Sequence, residues 1–138
     1  MNARLAIPVI WTLACALLVK LLTAWGQLPD RVAVHFGMAM QPNGWSSKSA
    51  LAAIVLIAVL GQAALATFVL LRVGSAAGWI GLILVLVNVV LVCAFWQTIN
   101  YNAEGTRFQP LWTFVPMIVL FASITVLMGK LVLDYYRR

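Results

Sequence analysis

Four long apolar runs, about residues 5–25, 50–71, 79–99 and 111–133, divide the chain, separated by shorter polar stretches. A helix rises about 1.5 Å per residue, so runs of about 20 residues cross a hydrocarbon core of roughly 30 Å. Each run therefore predicts a transmembrane helix. Pro8 falls in the first turn of the first run, where the missing N–H does no harm. Pro116, in the second turn of the fourth, predicts a slight kink. Ser46, Ser47 and Ser49 offer hydroxyl caps to the second helix. The Arg72–Gly78 stretch predicts a tight turn between antiparallel helices two and three. The polar residues 100–110 predict a loop before helix four. The architecture expected is an all-α integral membrane protein, an antiparallel bundle of four transmembrane helices in a single domain over 1–138. Such a bundle satisfies its backbone polar groups without water.

The remaining stretch, residues 27–48, is the most varied in the chain. From Arg31 to Phe36 it alternates, with Val32, Val34 and Phe36 on one side and Arg31, Ala33 and His35 on the other. Alternation of that kind suits an extended segment resting on an apolar surface. Met38, Met40 and Trp45 add more apolar area than a freely solvated loop carries. The stretch is expected to be a structured outer loop, packed over the helix ends as a cap or presented as a recognition surface.

Composition places these elements in lipid. The chain is 64% hydrophobic and 9% charged, against about 25% charged in soluble domains. Its net charge of +6 comes from nine basic and three acidic residues, set mainly at segment ends. That placement points to membrane lipids as partners and away from nucleic acid, which needs a basic stripe on a soluble module. With both termini cytoplasmic, the inner side carries Arg4, Arg72, Lys130, Arg137 and Arg138, and the outer side Lys20, Arg31, Lys48 and Arg107. Five against four is a narrow excess, but it has the sign of the positive-inside rule. Arg4 ahead of an apolar run also has the shape of a secretory signal; the run is long for one and is read as a retained helix.

The loop carries a resemblance. Leu28-Pro29, Val32, His35-Phe36, Pro42-Asn43-Gly44-Trp45 and Ser47-Lys48 stand in the order and spacing of a motif found in the SdpI-type bacterial toxin-immunity and signalling proteins. In that family the motif belongs to an amino-terminal membrane domain of unknown function. Met40 stands where the pattern has a glycine, and Asn43 where aspartate is commoner. A non-glycine residue resists a left-handed backbone position. The resemblance covers about 20 residues. It implies a multi-pass protein of the bacterial plasma membrane that binds a secreted peptide toxin or a membrane protein partner.

Candidate contact residues on the outer side are Arg31, His35, Phe36, Trp45, Lys48 and Glu104. Histidine can ligate metal or move protons. A zinc site, however, needs three or four ligands, and His35 is the only histidine, with Cys15 and Cys93 set inside apolar segments. No metal or cofactor is expected, and His35 is read as hydrogen-bonded to a loop carbonyl or to Asp30. No catalytic residue is assigned. There is no Gly-x-Ser-x-Gly and no phosphate-cradling glycine loop, and Asp30, Glu104 and Asp134 fall at or beyond helix ends.

Inside the membrane the candidates are Lys20, Gln62 and Asn88. Gln62 and Asn88 fall at depths within about 3 Å of one another on adjacent helices. That predicts an interhelical hydrogen bond. Lys20 lies about 8 Å below the outer surface, from where it either snorkels to the headgroups or pairs inward with Glu104 or Asp30. Three functions remain open on these residues. One is a binder of a peptide or protein through the outer loop; the others are an accessory subunit of a membrane assembly, and a transporter or enzyme with a pocket under the loop.

Overall fold

In the computed structural model, which describes residues 3–37, 39–72, 77–107 and 109–136, there are four helices, with one β-hairpin between the first and second. The helices are α1 (Ala3–Ala24), α2 (Lys48–Arg72), α3 (Ala77–Glu104) and α4 (Pro110–Tyr136); the strands are β1 (Arg31–Phe36) and β2 (Pro42–Ser47). Three helices contain spans long and apolar enough to cross a membrane, Leu5–Ala24, Lys48–Arg72 and Trp79–Glu104. In α4 the apolar run among the described residues is Phe114–Leu127. The protein is an all-α membrane bundle. Met38, residues 73–76, Arg137 and Arg138, on which the loop, turn and tail expectations partly rest, lie outside the described residues.

The core follows from spacing. On α1 the buried residues Ala6, Ile10, Ala14, Leu17, Leu21 and Ala24 recur every three or four positions. On α2 Leu51, Val55, Val59, Ala63, Ala66 and Leu70 do the same. That interval keeps side chains on one helix face. Alanines within both stripes let the backbones approach closely, which is how helices gain packing energy in lipid. Large apolar side chains such as Leu22, Ile57, Leu65 and Phe68 are exposed on the other faces, where hydrocarbon replaces water. Trp11 Nε1–H also donates across to Thr67 Oγ1 at 3.0 Å, tying α1 to α2.

The fourth helix stands apart. Among the described residues α4 packs only on α3, and it contributes nothing to the buried core. The bundle is thus a three-helix core of α1, α2 and α3 with α4 flanking one side.

Two elements differ from the sequence expectation. First, the extended segment Arg31–Phe36 is present as β1, but it is paired antiparallel with a second strand, β2, that the sequence pattern does not predict. The register pairs Arg31 with Ser47, Val32 with Ser46, Ala33 with Trp45, His35 with Gly44 and Phe36 with Pro42. Irregularities on either side of His35 break the strict alternation. So Ala33, expected to face outward, is fully buried beside Val32. The turn closes through Gly37 N–H to Gln41 O and Met40 N–H to Gly37 O, each 2.9 Å. Met40 adopts φ 55°, the left-handed conformation that glycine accepts most readily.

Second, α3 runs to Glu104, past the expected end near Ile99. The polar run Asn100–Asn102 reads as loop, yet it stays helical, with Tyr101 and Asn102 finding partners on β1 and, just beyond it, Glu104 pairing with Lys20 of α1. Gly105, at φ 65°, ends the helix, with its N–H on Tyr101 O at 3.2 Å. At the other side of the hairpin, Ser47 caps α2 by accepting Ala50 N–H at 3.1 Å. Lys48 N–H meets Asp30 O at 3.1 Å, closing the base of the hairpin.

Candidate functional site

The hairpin is held to the helix tips chiefly by one side chain. Asn102, in the last turn of α3, accepts Ala33 N–H on Oδ1 at 2.7 Å and donates from Nδ2 to Ala33 O at 2.8 Å. It thereby satisfies both backbone groups of a buried strand residue, as a neighbouring strand would. A second Nδ2 hydrogen bond, 2.7 Å to Thr98 O, fixes the amide against its own helix. The adjacent Tyr101 meets the Phe36 ring edge-on, with centroids 5.0 Å apart. Val32, Leu28 and Leu51 extend the hydrophobic core up under the hairpin.

Charges complete the clamp. Lys20 Nζ lies 2.8 Å from Glu104 Oε1 and 5.5 Å from the Trp96 ring centroid. Of the two fates open to Lys20, the structure takes the inward pair. Its side chain is 17% exposed and that of Glu104 41%, so the pair sits at the edge of the protein interior. Asp30 instead pairs with Lys48, at 3.3 Å, and Lys48 also lies 5.5 Å from the Trp25 ring centroid.

His35 takes neither of its expected partners. Its Nδ1–H donates to the side-chain Oδ1 of Asn43 across the hairpin. Gly44 makes room for this. A Cβ built on Gly44 would stand 2.7 Å from the His35 Cβ, closer than packing allows. Within the bundle Asn88 Nδ2 donates to Gln62 Oε1 at 2.5 Å, and Gln62 Nε2 reaches Leu84 O at 3.5 Å. The Asn88 Oδ1 is buried with no partner.

The candidate residues therefore divide. Phe36, Lys48, Glu104 and Lys20 engage neighbours on the protein itself, and Gln62 and Asn88 engage each other. Arg31, His35 and Trp45 are exposed on the hairpin, with Trp45 at 49%. Cross-strand partners share a face. Trp45 thus stands opposite Ala33 on the face that also carries Arg31 and Ser47. Among the described residues no group of three or more His, Cys, Asp or Glu side chains is placed to hold a metal.

The hairpin, with the helices on either side of it, is also where similarity to known sequences falls. Residues 11–60 match the family model described as a domain of unknown function (DUF1648). No curated protein and no solved structure matches the chain. The matched segment takes in most of α1, the whole hairpin and the first half of α2. It leaves out Tyr101, Asn102 and Glu104, the α3 residues that grip the hairpin.

Asn102 does not stand out in the sequence, because the polar run that contains it has the composition of a loop. A signal existed: Asn88, Val92, Phe95, Ile99 and Asn102 continue at intervals of three and four, straight through the polar run. Beside this end of α3 lies a cavity of about 400 Å³ whose wall includes Trp96, Gln97, Asn100 and Arg107. None of Lys20, His35, Asn88 or Glu104 lines it.

Proposed function

We propose that this is a multi-pass membrane protein that receives a peptide or protein partner on its hairpin, outside the membrane. Both termini are then cytoplasmic and the hairpin faces out of the plasma membrane of a bacterium. The observation that carries this reading is the half-exposed Trp45 on a hairpin packed against α2 and α3. A large aromatic on a rigid support loses little conformational freedom on binding, and such residues dominate interface energies. Arg31 on the same face adds a cation. The likeness of the hairpin motif to that of SdpI-type proteins supports toxin immunity or signalling as the setting.

The test is survival of a toxin-sensitive bacterium that makes this protein, challenged with a secreted membrane-active peptide. Protection should rise with the protein and fall with Trp45→Ala at equal membrane levels. A photoreactive amino acid at position 45 should cross-link to the peptide itself. Cross-linking to lipid alone, with protection unchanged by Trp45→Ala, rejects the reading and leaves Trp45 as an interfacial anchor. A second reading, an accessory subunit, draws on the packing of α4 on α3 alone. It predicts a partner of fixed stoichiometry retained in mild detergent whether or not Trp45 is present.

A further inference from the structure

We propose that the cavity beside the hairpin end of α3 holds the headgroup and upper acyl chain of an anionic phospholipid. Its wall is graded. Val92, Cys93 and Trp96, below the helix end, supply apolar surface at the depth where acyl chains begin, and Thr106, Arg107 and Gln109 form a polar rim. Cys93 is 11 residues before Glu104, about 16 Å along the helix. That is the depth from headgroup to upper chain, so the cavity opens to both parts of one amphiphile.

Charge selects the headgroup. Lys20 and Lys48 have carboxylate partners, whereas Arg107 has none among the described residues. Arg107 thus brings to the rim a guanidinium with no carboxylate partner among the described residues, and with a planar donor fork that matches phosphate oxygens. The phosphate of an anionic lipid supplies the complement to Arg107. Phosphatidylglycerol carries a net negative charge; phosphatidylcholine does not.

Native mass spectrometry of the full chain, with equal amounts of phosphatidylglycerol and phosphatidylcholine, provides the test. The intact protein should retain phosphatidylglycerol with a preference of about fivefold or more, the scale expected of one basic side chain near an anionic membrane surface. Arg107→Gln should abolish the preference and Arg107→Lys should keep much of it. Arg31→Gln, on the hairpin, should leave it intact, which separates this site from the partner surface proposed above. Because Arg107 is exposed, its substitution leaves the helices able to fold, and an unchanged circular dichroism spectrum checks this. Equal retention of the two lipids, a preference that survives Arg107→Gln, or displacement of the lipid by millimolar inorganic phosphate would each overturn the assignment.

Discussion

Replacing Asn102 by alanine tests the clamp most directly. The substitution removes the two hydrogen bonds to Ala33, at 2.7 and 2.8 Å, and leaves a fully buried strand residue with neither backbone group paired. An intact hydrogen bond contributes about 1 kcal/mol net, but each buried group left unpaired costs about 1–3 kcal/mol. Asn102 is only half-buried, so water entering the vacated space recovers part of this. The expected loss is about 2–4 kcal/mol of hairpin docking free energy. Amide hydrogen exchange in nanodiscs reads that quantity: at about 1.4 kcal/mol per tenfold, hairpin amides should exchange roughly 30- to 1000-fold faster. Amides in the middle of α1 and α2 should be unchanged. Asn102→Asp should be at least as damaging, because its carboxylate keeps the acceptor for Ala33 N–H but faces Ala33 O without a donor. If hairpin protection survives Asn102→Ala, the side chain is not what holds the hairpin. If the whole bundle loosens equally, the hairpin and helices are one cooperative unit and the local argument fails.

Three other substitutions probe separate contacts. In a double-mutant cycle with leucine at Gln62 and Asn88, reversible unfolding should give a coupling of about 0.6–1.7 kcal/mol, the range for membrane interhelical hydrogen bonds; additive effects would refute the pairing. A cycle on Lys20→Met and Glu104→Gln should give about 1 kcal/mol at low salt and less at high salt, since the Glu104 side chain is 41% exposed. A coupling indifferent to salt would argue against an ion pair. Gly44→Ala forces a Cβ to within 2.7 Å of the His35 Cβ, and overpacking of this kind costs about 1–3 kcal/mol. The His35 Nδ1 resonance in nitrogen NMR should lose its hydrogen-bonded position, whereas an unshifted resonance would mean that the hairpin yields elsewhere.

The helices were legible because their signal is long and redundant. A run such as 50–71 stays apolar wherever its boundaries are drawn, and α2 occupies Lys48–Arg72. The contact between Gln62 and Asn88 was legible for a related reason. Two isolated polar residues at matching depths in a hydrocarbon setting have few alternatives but each other. The hairpin was half legible. Alternation marked β1, but β2 is Pro-Asn-Gly-Trp-Ser-Ser, whose composition reads as turn, and its pairing depends on contacts made in three dimensions. The grip of Asn102 on Ala33 was hidden, because it joins residues 69 positions apart and uses a residue type that propensity assigns to loops. His35 shows the same limit: Asp30 is a sound partner by charge, but the hairpin register brings Asn43 across instead.

The division of labour between the first sixty residues and the end of α3 limits how portable the hairpin is. Residues 11–60 contain both strands and the helix tips beneath them, yet the amide that completes the sheet edge comes from position 102. Transplanted alone, that segment would expose an open strand edge just where lipid headgroups give way to water. Any host for it must bring its own helix, ending at the same height and offering one side chain that both donates and accepts.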